Sequence, residues 1–96
     1  MSGNHEDLIA RAKSALPLPD LMRSVGLGEY AQKSARSPFR NGDNPSAFGI
    51  FQKSDGAWNW KDFVTGEFGD EIDLVGKVYG VSNPDAVRRF IEIAGV

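Results

Sequence analysis

The sequence predicts a single α+β domain in which helices at both ends flank a small antiparallel β-sheet. Apolar residues recur at helical spacing before Gly26 and again after Gly69, whereas proline, glycine and asparagine punctuate the middle of the chain. The chain has 96 residues, of which 41% are hydrophobic, and this is enough for one core. We expect residues 1–5 to form a disordered tail and residues 6–96 to form the domain.

Two helices are predicted at the amino-terminal end. Apolar residues at spacings i, i+4, i+7 and i+8, starting at Leu8, predict an amphipathic helix from about Glu6 to Ala15. Pro17 ends this helix, because proline is not accepted in a helix interior. A second, shorter apolar stripe predicts a helix from Leu18 to Val25, which ends at Gly26.

The middle of the chain predicts a β-hairpin. Residues 46–52 and 57–63 alternate between two faces, which is typical of strands. The turn Ser54-Asp55-Gly56 between them is a hairpin signal. We also expect a weaker third strand near residues 31–35.

Two further helices are predicted at the carboxyl-terminal end. Asp70 is a good N-cap with Asp73 three residues later, and Gly80 ends that helix. Asn83 is expected to cap the last helix, with Pro84 at its first position. The residues expected on the inner faces of these helices are Ile72, Val75, Gly76 and Tyr79 for the first and Val87, Phe90, Ile91 and Ala94 for the second.

The charge is distributed unevenly along the chain. The formal net charge is −2. Residues 31–61 contain five basic and two acidic residues, a local +3, whereas residues 62–96 contain three basic and seven acidic residues, a local −4. A domain of this kind can present a basic face although its total charge is negative.

The composition excludes several classes of protein. The chain has no cysteine, which removes disulfides and thiolate-bound zinc. No apolar run is long enough to span a membrane, and the first residues lack a signal-peptide pattern. We therefore expect a soluble, cytoplasmic protein with no membrane partner.

No group of residues predicts catalysis. The single histidine, His5, lies far from Ser37 in the sequence, which argues against a Ser/His hydrolase. Asp70, Glu71 and Asp73 resemble a magnesium site, but their position in the first turn of a helix explains them more simply through capping and the helix dipole. We expect the protein not to be an enzyme.

Two segments carry the most specific pattern, SPFRNGDNPSAF at residues 37–48 and WKDFVTGEFGDEIDL at residues 60–74. Together they resemble the amino-terminal zinc-binding domain of bacterial DNA primases. That family has Cys-Pro-Phe-His, a turn, Pro-Ser-Phe, a strand with Cys-x-x-Cys-Gly, and Gly-Asp-x-Ile-Asp at the start of a helix. The resemblance covers about residues 18–96 and implies a zinc-ribbon-like sheet.

The four zinc ligands of that family correspond to Ser37, Arg40, Asp62 and Thr65. Hydroxyls are poor zinc ligands, and a guanidinium cannot ligate because it stays protonated. We therefore expect no metal and no other cofactor. Arg40 and Asp62 are expected either to form a salt bridge in place of the ion, or to separate, with Arg40 in solvent and Asp62 capping a turn.

The resemblance also implies a site for single-stranded DNA, because the primase domain is thought to help hold the template. Cations interleaved with flat rings suit such a ligand. We assign Phe39, Phe48, Phe63 and Trp60 mainly to the core, and leave Phe51 and Trp58 open between core and surface. The candidate nucleic-acid-binding residues are Lys33, Arg36, Arg40, Phe51, Lys53, Trp58 and Lys61.

The leading hypothesis is a non-catalytic module of DNA replication, in a phage or mobile element, that holds single-stranded template for a separate primase or helicase. The alternative is an adaptor that keeps the scaffold and docks on a replication protein without binding DNA. A third hypothesis is that these residues are one domain of a longer primase-helicase.

Overall fold

The computed structural model describes residues 5–96, which form an α+β fold with a three-stranded antiparallel sheet. A single 3₁₀ turn, Gly28–Tyr30, lies between the amino-terminal helices and the sheet. The elements in chain order are α1 (His5–Ala15), α2 (Leu18–Ser24), β1 (Phe48–Gln52), β2 (Trp58–Asp62), β3 (Phe68–Gly69), α3 (Glu71–Tyr79) and α4 (Asn83–Ala94).

The helices agree closely with the sequence-based prediction. Pro17 separates α1 from α2, as expected, and occupies the N-cap position of α2. The N-terminal cap of α3 is a capping box in which Asp70 and Asp73 bond each other's backbone amides, and Gly80 ends α3 in the left-handed conformation. The predicted disordered tail lies outside the described residues except for His5, with which α1 begins.

The cap of the last helix differs from the prediction by one residue. Ser82, not Asn83, is the N-cap of α4, and Pro84 therefore lies one position further into the first turn. Proline is still accepted there, because the amide it lacks would have had no partner within the helix.

The sheet has the order β1-β2-β3, and its first two strands form the predicted hairpin. The turn closes with Gly56 at a φ of +91°, a conformation that favours glycine, and with a 2.9 Å hydrogen bond from the Gly56 amide to the carbonyl of Lys53. The third strand is β3 rather than the segment near residues 31–35. That segment makes only a single bridge to the sheet, between Ala35 and Phe48.

The segment near residues 31–35 does not form the predicted strand because its backbone bulges at Lys33. The Gln32 carbonyl accepts the amide of Ile50 and the Ala35 carbonyl accepts that of Phe48, but the Lys33 carbonyl turns over the sheet. It lies so close to Gly49 that a Cβ there would sit 2.1 Å from the oxygen. Gly49 is therefore needed for this close approach.

The helices cover one face of the sheet, which we call the inner face, and α4 contacts α1, α2 and α3. Phe48, Ile50 and Trp60 point into this core, as strand alternation predicts. The rings of Phe39, Phe48 and Trp60 lie 5.3–6.0 Å apart between centroids. The indole nitrogen of Trp60 donates to the carbonyl of Asp70 at 3.0 Å, which joins β2 to the start of α3.

Two assignments to the inner side are corrected by the structure. Phe63 was assigned to the core but is 55% exposed. Tyr79 lies on the predicted inner face of α3 yet is exposed, whereas Leu74 is fully buried on that helix. Gly76 is half-buried and does face α4, since a Cβ added there would lie 3.7 Å from the Cβ of Ala86. α3 contacts both the sheet and α4, so the buried part of its surface is wider than the single predicted stripe of residues and is centred differently.

Candidate nucleic-acid interface

The ion pair between Arg40 and Asp62 is present, so the first of the two alternatives is confirmed. The guanidinium donates to both carboxylate oxygens, with 3.1 Å between Nη2 and Oδ1. The side chain of Asp62 is fully buried, whereas that of Arg40 is 37% exposed. Bidentate pairing of this kind fixes geometry as well as charge.

Asp62 also caps a turn, so it fulfils part of the other alternative as well. Its Oδ1 accepts the amides of Val64 at 2.9 Å and Thr65 at 3.0 Å. The guanidinium of Arg40, together with these amides, lowers the pKa of Asp62 to about 2, against the opposing effect of burial. The carboxylate therefore holds both the loop that carries Arg40 and the turn that follows β2.

The four positions that correspond to zinc ligands do not fit a zinc ion. The carboxylate of Asp62 accepts four hydrogen bonds, three at Oδ1 and one at Oδ2, and the guanidinium of Arg40 stands where a metal ion would bind it. The Ser37 hydroxyl accepts the amide of Phe39 at 3.1 Å, and the Thr65 hydroxyl contacts Glu67. Within residues 5–96, no group of three or more His, Cys, Asp or Glu residues is placed to hold a metal ion.

The predicted nucleic-acid-binding residues do not form one patch, because the sheet separates them. Phe51 and Lys61 point to the face opposite the helices, which we call the outer face. Trp58 lies on the inner face, where it is half-buried and packs against the core. Lys53 is at the exposed tip of the hairpin. Trp58 is thus partly a structural residue.

Trp58 lines a cleft of about 490 Å³ between the hairpin tip and the α1–α2 junction. Lys13 and Lys53 contribute positive charge to this cleft, but Asp55, Asp70 and Glu71 also line it. Lys13 is already paired with Asp70 at 2.9 Å. The cleft therefore has no excess of positive charge with which to attract phosphate.

The outer face carries two aromatic residues that sequence reasoning did not place there, Phe63 and Phe68. They are 55% and 71% exposed, and Phe51 beside them is 42% exposed. Phe68 pairs with Lys61 across the β2–β3 ladder, and cross-strand partners share a face. We call the set Phe51, Lys61, Phe63 and Phe68 the outer aromatic face.

The ladder sets the geometry of the outer aromatic face. Lys61 lies between Gly49 on β1 and Phe68 on β3. Phe63 is two residues beyond Lys61, and its amide donates to Ala47 at 2.8 Å, so it continues the same alternation. Diagonal neighbours on one face are about 7–8 Å apart, which is the spacing we expect between Phe63 and Phe68. The ring of Phe63 leans over Gly49, where its Cε2 would lie 3.2 Å from an added Cβ.

The charge around the outer aromatic face is positive. Lys61 is exposed at its centre, and exposed Lys33 lies on the segment that crosses Gly49. Neither lysine forms an ion pair within the described chain. The nearest acid along β3, Glu67, is paired with Lys77 at 2.9 Å, and this pairing lowers its pKa.

The two remaining predicted cations, Arg36 and Arg40, are engaged by carboxylates. Arg36 lies 3.9 Å from Glu29 in an exposed pair, which is a weak interaction. Arg40 is bound to Asp62 as described above. Of the predicted cations, the unpaired ones are therefore the three lysines, Lys33, Lys53 and Lys61.

The position of Phe63 was detectable in the sequence. Trp58, Trp60 and Asp62 share one parity on β2, so Lys61 and Phe63 have to share the other. No comparable signal existed for Phe68, because a strand of only two residues has too little alternation to identify.

Comparison with known proteins adds no assignment. No protein-family model, curated protein or solved structure matches the chain. The resemblance to primase zinc-binding domains therefore stays a prediction. None of the helices within residues 5–96 is long and apolar enough to cross a membrane.

Proposed function

We propose that the protein is a non-catalytic module that binds single-stranded DNA through its outer aromatic face. The observation that carries this proposal is the display of three exposed phenylalanines around Lys61, which makes no ion pair among the described residues. Such rings have no role in the core, and each offers a flat surface on which a base can stack. Lysine at the centre of the rings supplies charge for the phosphates.

The proposal extends to DNA replication, beside a separate primase or helicase. This part rests on the resemblance to primase zinc-binding domains, with a zinc-ribbon-like sheet in which the Arg40–Asp62 pair takes the place of the metal. The antiparallel sheet and the ion pair are compatible with that reading. The location in the cytoplasm belongs to the same proposal.

A specific observation favours the adaptor as a second candidate. Val64 is 63% exposed next to Phe63, and with Phe68 it extends the outer aromatic face as an apolar patch. Exposed apolar patches often mark sites where another protein docks. In this case the partner is a replication protein, and the lysines contribute little to binding.

The decisive experiment is a titration of labelled single-stranded oligonucleotide followed by fluorescence anisotropy at low and moderate salt. Phe63→Ala and Phe68→Ala should each weaken binding by about 1–3 kcal/mol, or about 5- to 150-fold, because each removes one stacking surface. Lys61→Ala should weaken binding at low salt and reduce its salt dependence.

The matched control is Tyr79→Ala. Tyr79 is an exposed aromatic residue on α3 whose ring lies 4.7 Å from the guanidinium of Arg89. Because it lies away from the outer aromatic face, the Tyr79→Ala variant should bind DNA as the wild type does. The double variant Trp58→Ala and Lys53→Ala tests the cleft separately. We expect it to weaken DNA binding less than Phe68→Ala does. No binding at micromolar protein in low salt would rule out the DNA proposal and leave the adaptor.

A further inference from the structure

We infer that the outer aromatic face binds single strands without reading their base sequence, and that it accepts RNA as readily as DNA. This inference rests on the proposed function and names the class of ligand for the same site. It follows from which side chains around the face are free to form hydrogen bonds and which are already engaged.

Four neutral polar side chains around the face each donate a hydrogen bond within the chain, which fixes their direction. The amide nitrogen of Asn59 on β2 donates to the carbonyl of Gly69 at 2.9 Å, and the Thr65 hydroxyl donates to Glu67 at 3.3 Å. On the segment that runs beside β1, the amide nitrogen of Gln32 donates to the carbonyl of Glu29 at 2.6 Å. The hydroxyl of Ser34, two residues after Gln32, donates to the carbonyl of Pro45 at 2.9 Å.

The arginines beside the sheet are engaged as well. Arginine identifies guanine by a bidentate contact to the base edge, for which both arms of the guanidinium have to be free. Both terminal nitrogens of Arg40 donate to Asp62, and the guanidinium of Arg36 lies near the carboxylate of Glu29. Base edges therefore meet no free guanidinium beside this face.

The outer aromatic face itself presents only rings and the ammonium group of Lys61, and Lys33 adds a second ammonium group beside it. Every base has a π-face, so stacking on Phe51, Phe63 and Phe68 tolerates any sequence. The ammonium groups of Lys33 and Lys61 contact phosphates, which DNA and RNA share. A protein distinguishes RNA from DNA through hydrogen bonds to the 2′-hydroxyl, and the four residues of the outer aromatic face carry no neutral hydrogen-bonding side chain for that purpose.

The number of free lysines also limits the salt dependence. Each phosphate contact on a single strand contributes about −0.7 to the slope of log K against log salt. Lys33 and Lys61 then give a slope of about −1.4, and a further contact by Lys53 at the hairpin tip gives about −2.1. We expect Lys61→Ala to reduce the slope by about 0.7.

The test uses a mixed-sequence DNA strand of about 12 nucleotides, each of its single-base variants, and the matching RNA, titrated against the full chain over a range of salt. We expect every single-base variant and the RNA to bind within about threefold of the parent strand, because stacking differs only modestly between bases. Circular-dichroism melting of Lys61→Ala verifies that the variant is folded.

Three outcomes are distinguishable. A single-base change that weakens binding more than about tenfold, or a comparable preference for DNA over RNA, would overturn the inference while the proposed function stands. A slope steeper than about −4 would also overturn it, since it requires more cations than this face has free. Absence of binding to every strand would overturn the proposed function itself.

Discussion

The inner and outer faces of the sheet contain the same kinds of residue but bury them very differently. On the inner face Phe48 and Trp60 are 0% and 2% exposed, whereas on the outer face Phe63 and Phe68 are 55% and 71% exposed. Neighbouring residues on one strand, Trp60 and Lys61, therefore belong to opposite environments. Aromatic content by itself does not separate core from surface, but strand parity does.

The largest expected effect tests this difference directly. Trp60→Ala should reduce the free energy of unfolding by about 3–5 kcal/mol, because it leaves a large cavity and removes the indole hydrogen bond to the carbonyl of Asp70. Phe63→Ala, the matched change on the outer face, should alter it by less than about 0.5 kcal/mol. Urea denaturation measures both. Equal losses in the two variants would mean that Phe63 belongs to the core after all.

The next effect concerns the ion pair that joins Arg40 to the turn after β2. Asp62→Ala should reduce the free energy of unfolding by about 1–3 kcal/mol, because it leaves the amides of Val64 and Thr65 without an acceptor, whereas water can solvate the exposed part of the Arg40 guanidinium. Asp62→Asn keeps an acceptor for the amides and should cost less. A loss below about 0.5 kcal/mol for Asp62→Ala would show that this half-exposed pair and the capped turn contribute little.

A smaller expected effect is the decrease in the free energy of unfolding at acidic pH. The pKa of Asp62 is about 2 in the folded protein, below its ordinary value of 3.8, so the folded state binds fewer protons than the unfolded state. The stability contributed by Asp62 is therefore fully present above about pH 5 and is lost as the pH falls through 3.8 toward 2. Glu67, whose pKa is also lowered, contributes in the same direction.

Denaturation curves recorded between neutral pH and about pH 2 measure this dependence. Asp62→Asn should flatten the acid limb, since the amide does not titrate, whereas Glu67→Gln should flatten it less because Glu67 is exposed. An unchanged acid limb in Asp62→Asn would contradict the prediction.

Sequence reasoning was most successful where the signal is local. The bounds of α1 and α2, the capping box at Asp70 and Asp73, and the turn at Gly56 all depend on residues within a few positions of each other. The Arg40–Asp62 pair spans 22 residues, and it was foreseen as one alternative only through the primase resemblance. Spacing along the chain alone gave no reason to place these two residues together.

The errors arose where a contact depends on distant segments. β3 is too short to be recognised in the sequence, and it forms because its backbone pairs with Trp60 and Lys61 of β2. Glu71 is another example: its side chain is buried and this burial raises its pKa, although the sequence explained it only through the helix dipole at a first turn.

The sequence by itself determined the α+β class, four helices with most of their caps, and the hairpin, because propensity, capping and alternation act over a few residues. Only the tertiary structure decided which aromatic residues are free. The inner face is buried because its side chains share one core with residues of all four helices, and the outer aromatic face is exposed because within the described chain only the segment at Lys33 crosses it. Covering one face of a sheet is a long-range packing event, and alternation specifies two faces without specifying which one the helices will cover.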